Sequence, residues 1–148
     1  MKLSLETRSA NIIHSYEAGS VKIQQYSADA GSDPYSDKGS ETAAESQQSH
    51  SLLTLTSSLI VTPDQLIQDW LGNPPNLTQQ DMQRLLETHP EVILLGTGQS
   101  LTFPKAEILQ QCYQEKIGIE VMNTPAACRT YNVLASENRR VAAALMIL

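Results

Sequence analysis

Cysteine is scarce in this sequence, with two in 148 residues, Cys112 and Cys128. Both fall in segments whose patterning reads as helical, and they lack the dense even spacing of a secreted disulfide framework. The chain therefore reads as a reduced, cytoplasmic protein. Basic residues are also in short supply: 10 Lys and Arg stand against 16 Asp and Glu, for a net charge of −6. Affinity for nucleic acid rests on neutralising phosphates with Lys and Arg, so a nucleic-acid partner is excluded. Long apolar runs are missing as well. The closing "VAAALMIL" has eight residues, against roughly 20 for a membrane-spanning helix, and reads as a buried strand, so no direct membrane insertion is expected. The opening "MKLSLETRSANIIHSYEAG" has no apolar stretch behind its basic start, and Glu6 and Arg8 interrupt it. No signal peptide is expected there.

What remains is ordinary globular composition, 41% hydrophobic, in a length that suits one domain over 1–148 with a real core. Two strand candidates, "NIIHSY" and "SVKIQQY", flank Ala18-Gly19 and predict an opening β-hairpin. From Ser27 to Ser51 the chain turns Ser-, Asp- and Glu-rich, a composition that cannot offset its ordering entropy by burial. Residues 27–51 are expected to form a mobile acidic excursion between strands. "LLTLTSSLIV" at 52–61 then reads as a strand. Thr62-Pro63-Asp64-Gln65 has the form of a capped helix start, with Leu66, Ile67, Trp70 and Leu71 on one helical face. A second helix is expected after Thr78, with Met82, Leu85 and Leu86 inward and Pro90 as its stop.

The last third alternates strand and helix. "EVILLG" is a buried strand, "GTGQS" a turn, and a helix runs from Pro104 to Gly118 with Ile108, Leu109 and Cys112 inward. "IEVM" is a second strand, a helix capped by Thr124 follows, and a strand from Arg139 to Leu148 closes the chain. Short connections between such elements indicate an α/β domain with a parallel first crossover.

Three features could carry chemistry. Gly96-Thr97-Gly98 directly follows a strand, where glycines permit a tight turn and present N–H groups to an anion. The full dinucleotide fingerprint is absent, since position 101 is Leu, and a plain tight turn off a buried strand is the simpler reading of these residues. Cys128-Arg129 sits near the first turn of a helix, where dipole and guanidinium would lower a thiol pKa. Yet none of the three histidines, His14, His50 and His89, is placed by chain order to serve as its base. A packed, inert thiol is the simpler reading.

The third feature is location, because ligands of open α/β sheets bind beyond the carboxyl ends of parallel strands. If the strands ending at Leu95 and Met122 are neighbours, Gly96, Thr97 and Gly98 share one edge with Asn123, Thr124, Cys128 and Arg129. Such a cleft offers donors for an anionic or carbonyl-bearing guest but no carboxylate or imidazole to move protons, which favours binding over catalysis. No catalytic residue, metal or cofactor is expected. Arg139 and Arg140 read as a solubilising edge, and Trp70 and Tyr131 as core.

"VILLGTGQSLTFP", "GIEVMNTPAACRTYNVLASENRRVAAALMIL" and "SLIVTPDQLIQDW" together resemble a widespread family of small single-domain proteins long described as of unknown function. Its mitochondrial members include respiratory complex I assembly factor three. The resemblance implies a three-layer α/β fold with a central mixed sheet and helices on its faces, and no established catalytic activity. It further implies work through protein contacts, as an assembly or accessory factor whose partners are respiratory-complex subunits or other assembly factors. Location in the cytoplasm, peripheral to the inner membrane through a partner, goes with that reading. The alternative is a small-molecule or anion binder, or an enzyme, using the Gly96–Arg129 edge. Two departures stand out: Asn123 replaces the family's usual Asp, and the 27–51 excursion is longer than expected.

Overall fold

The computed structural model describes residues 10–25, 51–72 and 76–148; most of the 27–51 excursion lies outside them. Strands β1 (Ile12–Glu17) and β2 (Ser20–Gln25) pair antiparallel around Ala18-Gly19, as their patterning predicts. Gly19, the second of the two turn residues, takes a φ of 83°, a left-handed conformation that glycine adopts without strain. Alternation places Ile13, Val21 and Ile23 on the buried face. A third strand, β3 (Ser51–Leu55), adds to β2 to complete a three-stranded sheet.

The run 52–61 is divided between two sheets. After β3 the chain breaks at 56–58, and β4 (Leu59–Val61) enters a separate five-stranded sheet. Ser58 fixes the break: its hydroxyl accepts from the Ile147 N–H at 3.2 Å and its carbonyl from the Trp70 N–H at 3.0 Å.

The helix expected from Thr62 does not form. The Thr62 hydroxyl does accept from the Gln65 and Asp64 amides, at 2.9 and 3.3 Å. However, the Thr62 N–H bonds back to the Gln65 carbonyl at 2.9 Å, closing a tight turn. Leu66–Gln68 then returns as β5, antiparallel to β4. A threonine hydroxyl capping the amides two and three residues on serves a turn as well as a helix start, so the local pattern is ambiguous. The edge of β4 decides it. Leu66 and Ile67, adjacent and both apolar, go to opposite faces of the sheet and pack on opposite cores.

Helix α1 (Gln79–Leu86) forms where expected, closed by a reciprocal capping box. The Thr78 hydroxyl takes the Asp81 amide at 3.2 Å, and the Asp81 carboxylate takes the Thr78 amide at 3.0 Å. Met82, Leu85 and Leu86 are buried. Then come β6 (Val92–Gly96), α2 (Ala106–Gln114), β7 (Gly118–Met122), α3 (Thr124–Ser136) and β8 (Val141–Leu145). Helix α2 stops short of Gly118. Lys116, at φ 59°, supplies the left-handed turn, the Ile117 amide bonds back to the Cys112 carbonyl, and Gly118 opens β7.

The large sheet has the order β5-β4-β8-β6-β7. β8, β6 and β7 run parallel, while β4 is antiparallel to β8 and β5 to β4, so the sheet is mixed. Its central strand β8 is buried at all five positions, as a strand covered on both faces must be. Leu94, Ala143 and Leu145 face α3 and the three-stranded sheet. Ile93, Leu95, Ala142 and Ala144 face α1 and α2. The result is a three-layer α/β domain. Chain order runs from β6 to its neighbour β7, then back across β6 to β8. The connections of β6 and β7 thus leave to opposite faces, which makes their carboxyl ends the switch point of the sheet.

Candidate functional site

At the switch point the structure does bring Gly96, Thr97, Gly98, Asn123 and Thr124 together, but as a closed knot of hydrogen bonds. The Thr97 amide donates to the Met122 carbonyl at 2.9 Å, and the Thr124 amide to the Gly98 carbonyl at 2.7 Å. The Thr124 hydroxyl sits at the centre, fully buried. It accepts from the Gly98 N–H at 2.8 Å and donates to the Met146 carbonyl at 2.9 Å. The Thr97 hydroxyl donates to the Ser100 carbonyl at 2.8 Å and accepts from the Thr102 amide at 3.0 Å. The donors that the sequence offers to a guest are largely engaged within the fold.

Glycine is required at both loop positions for different reasons. A Cβ on Gly96 would lie 3.0 Å from the Thr124 Cα and 3.1 Å from the Ala127 Cβ, so the start of α3 packs directly on this backbone. Gly98 has a φ of 98° and lies under the Leu148 side chain. The cap of α3 is Asn123 rather than Thr124: its side chain accepts from the Ala126 amide at 2.9 Å. This frees the neighbouring hydroxyl for the knot.

Cys128 and Arg129 point away from the knot, to a recess of about 260 Å³ between α3 and β1 that His14, Tyr16 and Asn132 also line. Chain order separated His14 from Cys128, whereas the fold places both on this recess. No hydrogen bond joins them among the described residues. Cys128 is buried, and burial pushes its thiol up to about 12, with Arg129 opposing only in part. A group so held is a poor source of thiolate at neutral pH. Asn132 accepts from the Ile13 amide at 2.9 Å and donates to its carbonyl at 2.8 Å, and so pairs with the outer edge of β1 as a strand would.

A larger cavity, about 580 Å³, lies at the other end of the sheet, where the chain enters β6 and β8, and Arg139 and Arg140 form part of its wall. They are a full strand's length from the Gly96 loop, and sequence reading missed the cavity because its walls come from three separate turns. Among the described residues, no group of three or more His, Cys, Asp or Glu side chains is placed to hold a metal ion. No helix there is long and apolar enough to cross a membrane.

Comparison with known proteins bears on all of this. A family model described as "Protein of unknown function (DUF498/DUF598)" matches residues 35–146. A zebrafish (Danio rerio) protein named NADH dehydrogenase [ubiquinone] 1 alpha subcomplex assembly factor 3 is 33% identical over 135 residues, covering 88% of this chain and 73% of that protein. A "13 kDa major membrane protein" of Francisella tularensis subsp. holarctica (strain LVS) is 34% identical over 85 residues, 56% of this chain and 69% of that protein. The NMR structure of XCC1710 from Xanthomonas campestris superposes with a TM-score of 0.68 at 30% identity, over 99% of this chain and 92% of that one. The chain belongs to the DUF498/DUF598 family of proteins of unknown function.

Proposed function

We propose that this protein is an assembly factor for a respiratory complex and acts through protein contacts. The similarity to assembly factor 3 along 88% of the chain is the observation that carries the reading. The chemistry of the switch point supports it: the polar groups there are bonded to one another, and no imidazole or carboxylate of theirs is placed to move a proton. In this reading the knot is a rigid platform. It fixes the loop after β6, whose Leu101 and Phe103 stand exposed, and holds exposed Leu148 against Gly98. Exposed apolar side chains on a fixed loop make suitable anchors for a protein partner. Arg129, exposed on α3 and turned to the recess beside β1, supplies a second and separate point of contact. Attachment to a membrane would come through the partner.

The test is genetic and biochemical. Deleting the gene in its native host should lower assembled, active respiratory complex I on native gels, and tagged protein should co-purify subunits of an incomplete complex. Phe103→Ser and Arg129→Ala should weaken that co-purification without unfolding the protein. Unchanged complex I in the deletion strain would refute the assignment.

A further inference from the structure

We propose that the cavity between the entrances to β6 and β8 is a binding site for a small organic anion, an apolar body carrying one carboxylate or phosphate group. Its volume of about 580 Å³ lies in the range of about 300–1,000 Å³ typical of small-molecule pockets. It is too large for a single protruding side chain to fill. Pro63, Pro90, Ala135 and Val141 supply apolar surface, and Arg139 and Arg140 supply the charge.

Among the described residues, each arginine side chain is held by one nitrogen, its Nε. The Arg139 Nε donates to the Glu91 carboxylate at 3.2 Å, and the Arg140 Nε to the His89 carbonyl at 3.3 Å. Those two contacts orient the guanidinium planes, while their terminal nitrogens make no hydrogen bond to the described residues. Oriented, unspent guanidinium N–H groups suit the two-pronged geometry of a carboxylate or phosphate. In a chain of net charge −6, the two adjacent arginines balance Glu91 and Asp64 and leave this cavity locally neutral.

Two carboxylates are nearby, and each is accounted for. Glu91 binds the Arg139 side chain and the Arg140 amide, which hold its carboxyl below the usual range. Asp64, on the turn at the opposite wall, accepts the Thr62 hydroxyl at 3.0 Å. Asp64 opposes an anionic guest, and this repulsion yields a signed test. The site does not depend on the assembly-factor reading, since it uses the other end of the sheet.

The experiment is an NMR titration of the ¹⁵N-labelled protein at constant ionic strength with sodium hexanoate, phenyl phosphate and, as neutral comparator, hexanol. Hexanoate or phenyl phosphate should produce saturable shifts confined to Thr88, Ala135 and Val141 and their neighbours, with half-saturation at or below about 1 mM. The two anions tell a carboxylate site from a phosphate site. Arg140→Gln should weaken binding about tenfold, a lost charge-assisted pair, and Asp64→Asn should tighten it. Ala135→Leu, which fills the cavity from α3 with both arginines intact, should abolish it. Shifts that fail to saturate, that hexanol reproduces, or that survive Arg140→Gln and Ala135→Leu unchanged would overturn the proposal.

Discussion

Thr124 shows how much one hydroxyl can settle. It joins the loop after β6 to the segment after β8 while its own backbone begins α3, and both of its partners are buried backbone groups. Thr124→Val keeps the shape and removes the hydroxyl, leaving the Gly98 N–H and the Met146 carbonyl unpaired. Each orphaned group costs about 1–3 kcal/mol, so a loss of roughly 2–6 kcal/mol is expected in urea unfolding. Thr124→Ser, which keeps the oxygen, should cost well under half of that. Cys128 makes a second residue-scale prediction, through pH. Its thiol rises from an ordinary 9.0 to about 12 in the fold, so between those values the unfolded chain releases a proton that the folded chain keeps. The stabilising effect of the neutral thiol is complete below pH 9 and is lost as pH rises toward 12, by about 1.4 kcal/mol per pH unit. The same burial predicts that alkylation of native Cys128 at pH 8.5 is far slower than in urea. Equal rates would show that the thiol is accessible.

At the scale of elements, the last third of the chain was legible because each strand and helix there carries its own period and its connections are short. β6, β7, α3 and β8 fall where the pattern places them, and so does the meeting of their loops at one edge. The misreadings have specific physical causes. The Thr62 hydroxyl is used as a helix cap would use it, but β4 needs an antiparallel neighbour and takes Leu66–Gln68. Thr124 was read as a cap, and Asn123 one residue earlier does that work. The closure of the expected cleft was invisible, since sequence order shows which donors meet but not that they bond to one another. The reading of Thr62 as a turn residue can be checked. Thr62→Ala should cost about 1–2 kcal/mol, the range of a lost cap, and should slow no helix formation. Far-UV circular dichroism of native Thr62→Ala should match wild type, whereas loss of a ten-residue helix would lower the helical signal visibly.

For the molecule as a whole, the two ends of the parallel strands have opposite characters. The carboxyl ends are closed by the Thr124 knot beneath exposed Leu101, Phe103 and Leu148, and the amino ends open on the arginine-lined cavity. β8 spans the distance between them, with five residues at about 3.3 Å each, or roughly 16 Å. Substitutions at that separation with no shared partner act independently. Phe103 is 66% exposed, so Phe103→Ser should change stability by no more than about 0.5 kcal/mol, as surface changes usually do. If the closed end is the protein-contact end, that substitution should still cost a partner complex tenfold or more, the scale of losing one aromatic anchor. Arg140→Gln, at the open end, should leave partner capture untouched. Quantitative mass spectrometry of proteins captured by wild type, Phe103→Ser and Arg140→Gln from the native host separates the two ends. Loss with Phe103→Ser alone assigns the contact to the knot, and loss with Arg140→Gln alone would move the partner to the cavity and displace the assignment made for the carboxyl edge.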